Sequence, residues 1–216
     1  MVTLEQLKCL RQIAKDYDYG WGQPDGLMHA EQVACLALKM LNELSHLGHL
    51  REMSSDRALI QAAGWLHDIG RSTKAMGKGE HNEKGFDTLR QVVPQRMTSQ
   101  PLLKDELNIL LYCVLFHRGH DFSERRGVSL TDPQRTKRLA ALVRIADGLD
   151  YGPPFDAPVK DVNLRTEGEV TIFQVLPCSR AVRDRVKAYV KHTEREKTDL
   201  FEETYGPIRI KTLIAE

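Results

Sequence analysis

Histidine and aspartate stand side by side at positions 67 and 68, in the segment AGWLHDIGR (Ala63–Arg71). Both offer lone pairs to a cation, and both arrive at the end of an apolar run, among Ala62, Ala63, Trp65, Leu66 and Ile69. A histidine near a helix C-terminus suits the negative end of the helix dipole; an aspartate there does not. An ionised carboxylate in apolar surroundings needs a strong positive partner, and a divalent cation is one. Successive helical side chains point roughly 100° apart, so His67 and Asp68 converge on one ion only at a helix end that faces a cleft. The other ligands must then come from other helices. His29 stands at the start of one, and Asp147, in RIADGLD, near the end of another. Two imidazoles and two carboxylates make a mixed N/O donor set without thiolate. Mn, Fe, Co, Ni or Mg with open water positions suits it better than a structural zinc.

Other polar groups gather around these four. His81 and His117 also fall at helix ends. His81 has a plain reading as a solvated neighbour of Asn82 and Glu83. His117 has one as a satisfied helix-end residue closing the stripe Leu110, Cys113, Val114. Asp150 is either a ligand's neighbour or a cap, and Arg144 is a candidate partner for a carboxylate. Arg71, Lys74, Lys78 and Lys84 flank the doublet and its loop, and Arg118 follows His117. Phosphate needs such cations. The planar fork of Arg118 suits two oxygens at once, whereas Lys74 and Lys78 read as ordinary surface. Aromatics in the first loop, Tyr17, Tyr19 and Trp21, either stack a base or pin the loop to the core. His120 reads as loop, and His46, His49 and His192 as surface. The glycines of MGKGEH lack the GKS or GKT of a Walker loop, and no GxSxG nucleophile is present.

These groups need helices to hold them. Leu4, Leu7, Leu10 and Ile13 have helical spacing. A second helix is expected over about 27–47, with Val33, Leu36, Ala37, Met40, Leu41 and Leu44 on one face. A third opens at Ser55 as N-cap, with Asp56 at the positive dipole end, and stops at Gly70, free to turn left-handed. Residues 71–81 read as a flexible loop, followed by a short helix from His81 to Val92. The next opens near Ser99, with Pro101 in its first turn, and runs to Gly119. Another, capped by Thr131 or Asp132, ends before Gly152. The character then changes: VKDVNLR and EVTIFQVL read as strands joined by a TEG turn, a last helix spans about Ser179–Tyr205, and IRI offers a short strand. The expected organisation is a helical body over 1–152 and a small α+β appendage over 153–216.

The ordered set His29, His67-Asp68, Asp147 resembles the HD superfamily of metal-dependent phosphohydrolases. The likeness extends to HNEKG at 81–85, LLYCVLFHRG, RLAALVRIADGLD and the closing DLFEETYGPIRI. These are similar to the C-terminal HD domain of the exopolyphosphatase/guanosine pentaphosphatase family, here without the ATPase-like part that precedes it there. The resemblance implies a mainly α HD fold and a bound ion that lowers the pKa of water and polarises a phosphoryl oxygen. Asp68 then both binds the ion and orients or deprotonates that water. In some relatives the doublet's aspartate bridges a second metal, and His81 and His117 stand where such relatives supply its ligands. One ion is preferred to two, because the GYP signature of dinuclear cyclic-dinucleotide enzymes is missing. The resemblance also raises Lys84 and Arg118 as phosphate binders.

The bulk numbers agree with a globular chain: 216 residues, 41% hydrophobic, 28% charged, net charge +1. That near-zero charge makes nucleic acid an unlikely default partner. No apolar run is long enough to span a bilayer, and no signal peptide is recognisable. Cys9, Cys35, Cys113 and Cys178 form no CxxC pair, and Cys35 and Cys113 read as core residues. A cytoplasmic setting follows. The expected activity is hydrolysis of a phosphoester or phosphoanhydride in a nucleotide or similar small molecule, with the hairpin edge available for homodimer pairing. Two other classes stay open: a nucleotide- or alarmone-binding module without turnover, and a di-iron oxygenase that needs both metals.

Overall fold

The computed structural model describes residues 1–17, 26–50, 53–119, 128–151 and 156–213. Six helices come first: α1 (Leu4–Asp16), α2 (Gly26–His46), α3 (Asp56–Leu66), α4 (His81–Arg96), α5 (Lys104–Phe116) and α6 (Pro133–Leu149). A single 3-10 turn, Ile69–Arg71, follows α3. Then come β1 (Val159–Glu167), β2 (Val170–Pro177), a 3-10 turn at Arg180–Val182, α7 (Arg183–Glu196), α8 (Asp199–Tyr205) and β3 (Ile208–Thr212). The fold is mainly helical with a small C-terminal α+β appendage, as the sequence implies. No helix among the described residues is long and apolar enough to cross a membrane.

Helix packing sets the distances that matter. The α2 stripe from Val33 to Leu44 is buried, and α3 lies against it. Gly64 is the point of closest approach: a Cβ there would lie 2.4 Å from Ala34 Cα. Only glycine lets the two backbones meet so closely, and the meeting brings the start of α2 beside the end of α3. At its other end α3 is tied to α6. The Arg135 guanidinium donates to Asp56 Oδ1 (2.7 Å) and Ser55 Oγ (2.8 Å), while Asp56 Oδ2 accepts from Met53 N (2.8 Å). Ser55 occupies the N-cap position without a side-chain cap bond; its hydroxyl serves Arg135 instead.

Several boundaries differ from those expected, each for a local reason. α4 runs on to Arg96 and carries Pro94 in its last turn. α5 starts at Lys104 rather than near Ser99, because Gln6 Nε2 of α1 donates to the carbonyls of Gln100 and Pro101 (3.3 and 2.8 Å) and holds that segment outside the helix. The hairpin turn is Gly168–Glu169, with Thr166 and Glu167 still in β1. Gly168 takes φ 62, a left-handed value that glycine adopts without penalty. β3 pairs parallel to β2, so the hairpin becomes a three-stranded sheet; the parallel pairing needs the long α7–α8 crossover. The expected single last helix is broken at Lys197–Thr198. The buried Arg144 causes the break, donating to the Glu196 carbonyl (3.2 Å) and pairing with Asp199 (2.9 Å). Arg144 therefore fixes the carboxylate of Asp199, in the appendage. Cys113 is buried as expected, but Cys35 is exposed, on the outer face of α2.

Gly70 does not take the left-handed conformation its place suggests; it lies within the 3-10 turn. Its role is close approach. A Cβ would stand 1.8 Å from the His81 carbonyl oxygen and 2.5 Å from Gly85 N. Both obstacles are backbone, so no rotamer change relieves them. Gly70→Ala is expected to destabilise the protein by about 3 kcal/mol, as overpacking of a tight contact does, measured by urea unfolding.

Candidate metal centre

Three histidines reach the centre with Nε2 foremost, and local structure dictates it. Helix ends leave carbonyls without intrahelical donors. His67, just past α3, folds back so that its Nδ1–H donates to the Gly64 carbonyl (2.8 Å). His117, just past α5, does the same to Val114 (2.6 Å). His29, in the first turn of α2, donates Nδ1–H to Asp150 Oδ2 (2.8 Å) at the C-terminus of α6. A carbonyl or carboxylate only accepts, so each Nδ1 carries a proton and Nε2 is the ring atom turned to the centre. His29 Nε2 and His67 Nε2 then face each other at 3.2 Å. Two bare lone pairs do not face each other at that distance, so either a proton on one ring or a cation lies between them.

The carboxylates complete the picture. Asp147 Oδ1, from α6, lies 3.4 Å from His29 Nε2 and 3.5 Å from His67 Nε2. Asp68 adopts φ −99, ψ 9, in the sparsely occupied bridge region where many active-site residues sit. Its Oδ2 accepts from Arg71 Nε (2.7 Å), while its buried Oδ1 makes no well-aligned hydrogen bond and lies 3.2 Å from His81 Nε2 and 3.6 Å from His117 Nε2. A buried carboxylate oxygen facing imidazole nitrogens in this way is suited to a cation. His29, His67 and Asp68 bring ligand atoms within 4.8 Å of one another, as do Asp68, His81 and His117, so Asp68 is common to two groups. The donor set, all N and O, fits a divalent cation.

Electrostatics express the same convergence. Burial pushes His29 down, but its bonds to Asp147 and Asp150 and the nearby carboxylate charges outweigh this and hold it protonated up to about 10. Burial raises Asp68 and Asp147, yet their neighbours outweigh it in both. His67, His81 and Arg71 hold Asp68 far below the usual carboxylate range; Lys197, His29 and His67 do so for Asp147. Burial above all, with the neighbouring imidazoles adding to it, pushes His117 well below the usual histidine range. Burial raises Asp150, with its bond to His29 pulling it back.

His81 differs. Its Nε2 lies 3.1 Å from His117 Nε2 and 3.2 Å from Asp68 Oδ1, so it is at the centre. Asn82 puts it there: the buried amide donates to the carbonyls of Leu115 and Arg118 (2.8 and 3.2 Å), joining the start of α4 to the end of α5. But His81 Nδ1 faces Arg118 Nη1 at 3.3 Å, and a guanidinium only donates. In this arrangement the proton of His81 sits on Nε2, opposite to the other three rings.

A family model for the HD domain matches residues 26–152. The chain belongs to the HD domain family. HD domains are in general metal-dependent hydrolases, and the His/Asp cluster of this one is compatible with a metal. A comparison with curated proteins found no match.

The structure thus brings His29, His67, Asp68, Asp147, His81 and His117 of this HD domain together. Arg118 adjoins His81 and lies 3.9 Å from Glu80, with its head exposed. Lys84 lies half-buried in the first turn of α4, and among the described residues no hydrogen bond or ion pair joins it to the cluster. Lys74 is turned to the Asp16 carbonyl (2.6 Å). His46 and His49 are exposed, whereas His192 is half-buried against Tyr151 (ring centroids 4.0 Å apart). His120, Tyr19 and Trp21 lie outside the described residues. Asp150 both caps α6 and orients His29. Sequence reasoning missed Asn82 as a tie and missed Lys197 altogether. Lys197 Nζ donates to Asp147 Oδ2 at 2.8 Å; a Thr-Asp pair at 198–199, a helix-start signal inside an expected helix, was the available hint.

Asp150→Ala should weaken Mn2+ binding about 10–100-fold, the usual effect of losing the group that orients a ligand histidine. Calorimetric titration of metal-free protein with Mn2+ measures this.

Proposed function

We propose that this HD protein is a metal-dependent phosphohydrolase acting on a phosphoester or phosphoanhydride of a nucleotide or similar small phosphorylated molecule. One observation carries the reading: the Nε2 atoms of His29 and His67, 3.2 Å apart, share one buried space with Asp147 Oδ1 and Asp68, where a single divalent cation would serve all four groups at once. His29, His67, Asp68 and Asp147 would hold the ion. When bound, it supplies an acidified water and a polarised phosphoryl oxygen. Asp150, Gly64 and Arg71 hold His29, His67 and Asp68 in orientation. Asp68 would orient or deprotonate the attacking water. Arg118 and Lys84 grip phosphate oxygens from the His81 side.

The Asp68–His81–His117 group supports a second ion site, reached only when His81 moves its Nε2 proton and releases Arg118; one ion is therefore the primary reading. The kinship to exopolyphosphatase-type HD domains, the cytoplasmic setting and the homodimer belong to the same proposal. So does the division into a catalytic body (1–152) and an appendage (153–216), which supplies Lys197 to the centre.

The test is a panel of nucleotides and phosphoesters with added Mn2+, Co2+, Ni2+ or Mg2+, wild type against Asp68→Ala. Metal-dependent phosphate release by the wild type alone supports the hydrolase. Intact ligands bound without turnover point to a regulatory module, and two tightly bound irons with oxygen uptake to an oxygenase.

A further inference from the structure

Lys197 carries the appendage into the metal centre. It is 8% exposed, and its Nζ donates to Asp147 Oδ2 (2.8 Å) and to the carbonyl of His117 (3.3 Å). Both acceptors belong to residues of the cluster. The approach depends on local features of α6 and α7. Gly148 follows Asp147, and a Cβ there would lie 2.6 Å from Thr193 Oγ1 and 3.1 Å from Lys197 Cγ. Glycine therefore lets the end of α7 settle against α6. Arg144 holds the Glu196 carbonyl, and Lys197 N bonds back to Thr193 O (2.8 Å), so the helix stops where the lysine turns inward. Asp147 is left with one oxygen on the ammonium and the other, Oδ1, at 3.4 and 3.5 Å from His29 and His67 Nε2. Asp68 shows the same division: Oδ2 is held by Arg71 and Oδ1 faces the cluster.

We propose that Lys197 is a positioning residue that reserves Asp147 as a one-oxygen ligand, occupying Oδ2 so that Oδ1 alone faces the ion. This deepens the metal-dependent reading above and rests on it. A buried ion pair contributes little to stability by itself, because desolvation offsets attraction. What this pair does is restrict the carboxylate. A two-oxygen grip would fill a coordination position that water or a substrate oxygen needs, and the ammonium forbids it. The nearby positive charge also weakens the hold on a dication, which keeps the ion exchangeable.

The test uses the full chain loaded with Co2+ alone. In Lys197→Met, Oδ2 is released to the ion, so the visible d–d absorption should weaken as coordination number rises, and Co2+ affinity should increase about tenfold with a like charge removed. Gly148→Ala leaves Lys197 chemically intact but pushes it off α6, and should reproduce both changes. Wild-type spectra and affinity in a folded variant overturn the role of Lys197 while leaving the metal site intact. A wild type that binds no Co2+ overturns both readings. Independently of any variant, a crystal structure of the Co2+-loaded wild type should show Asp147 Oδ1 on the ion and Oδ2 still on Lys197; both oxygens on the ion would overturn the proposal.

Discussion

Asp68→Ala should bind no divalent metal at micromolar concentration and should lose at least about 10³-fold in phosphate release. The ion's share of transition-state stabilisation is several kcal/mol, and each decade of rate is about 1.4 kcal/mol. Asp68 is the one ligand common to both candidate groups, so no neighbouring donor replaces it in either. The fold should survive. Arg71, its ion-pair partner, is 31% exposed along its side chain and regains water when the carboxylate is gone. The two effects separate in a melting experiment. Metal at about 1,000 times its dissociation constant should stabilise the wild type by about 4 kcal/mol and leave Asp68→Ala unmoved. A variant that keeps both metal and turnover would remove Asp68 from the centre of the mechanism.

Metal affinity should also depend steeply on pH, strengthening about tenfold per unit between about pH 7 and 9. His29 is held protonated up to about 10 by Asp147 and Asp150. Its Nε2, the atom that faces His67, therefore carries a proton at neutral pH that the ion must displace. Calorimetry in buffers of different ionisation enthalpy should report about one proton released per ion bound. The metal-free protein should follow the opposite trend on the alkaline side. Because the pKa of His29 is raised, its contribution to stability is complete below about pH 6.5 and lost as pH rises through about 10. The carboxyls of Asp68 and Asp147 are lowered, so their contributions are present above about pH 4 and lost on acidification. Affinity that is flat with pH, with no proton released, would mean that the ion does not take the place of the His29 proton.

Much of the candidate site was legible in the sequence because its residues sit where helices begin and end. An aspartate at a helix C-terminus among apolar residues is an electrostatic anomaly that periodicity alone exposes, and His29, His67, Asp68 and Asp147 followed from it. The elements were legible for the same reason: the buried stripe of α2 and the alternating strands of the appendage leave strong periodic signals. What stayed hidden depends on contacts between distant segments. Gly70 reads as a left-handed stop until α4 is seen against it. Asn82 reads as a solvated helix start until its amide meets the end of α5. Lys197 lies 50 residues from its partner Asp147 in an amphipathic, charged helix, where a lysine ordinarily faces water. The break that turns it inward comes from Arg144 on another helix, so no local pattern announces it.

The most direct measurement is anomalous diffraction from crystals of the wild-type protein equilibrated with Mn2+. A peak bounded by His29 Nε2, His67 Nε2, Asp68 and Asp147 Oδ1 is the expected result. A map with no peak there, or with manganese held only by other groups, would contradict the account.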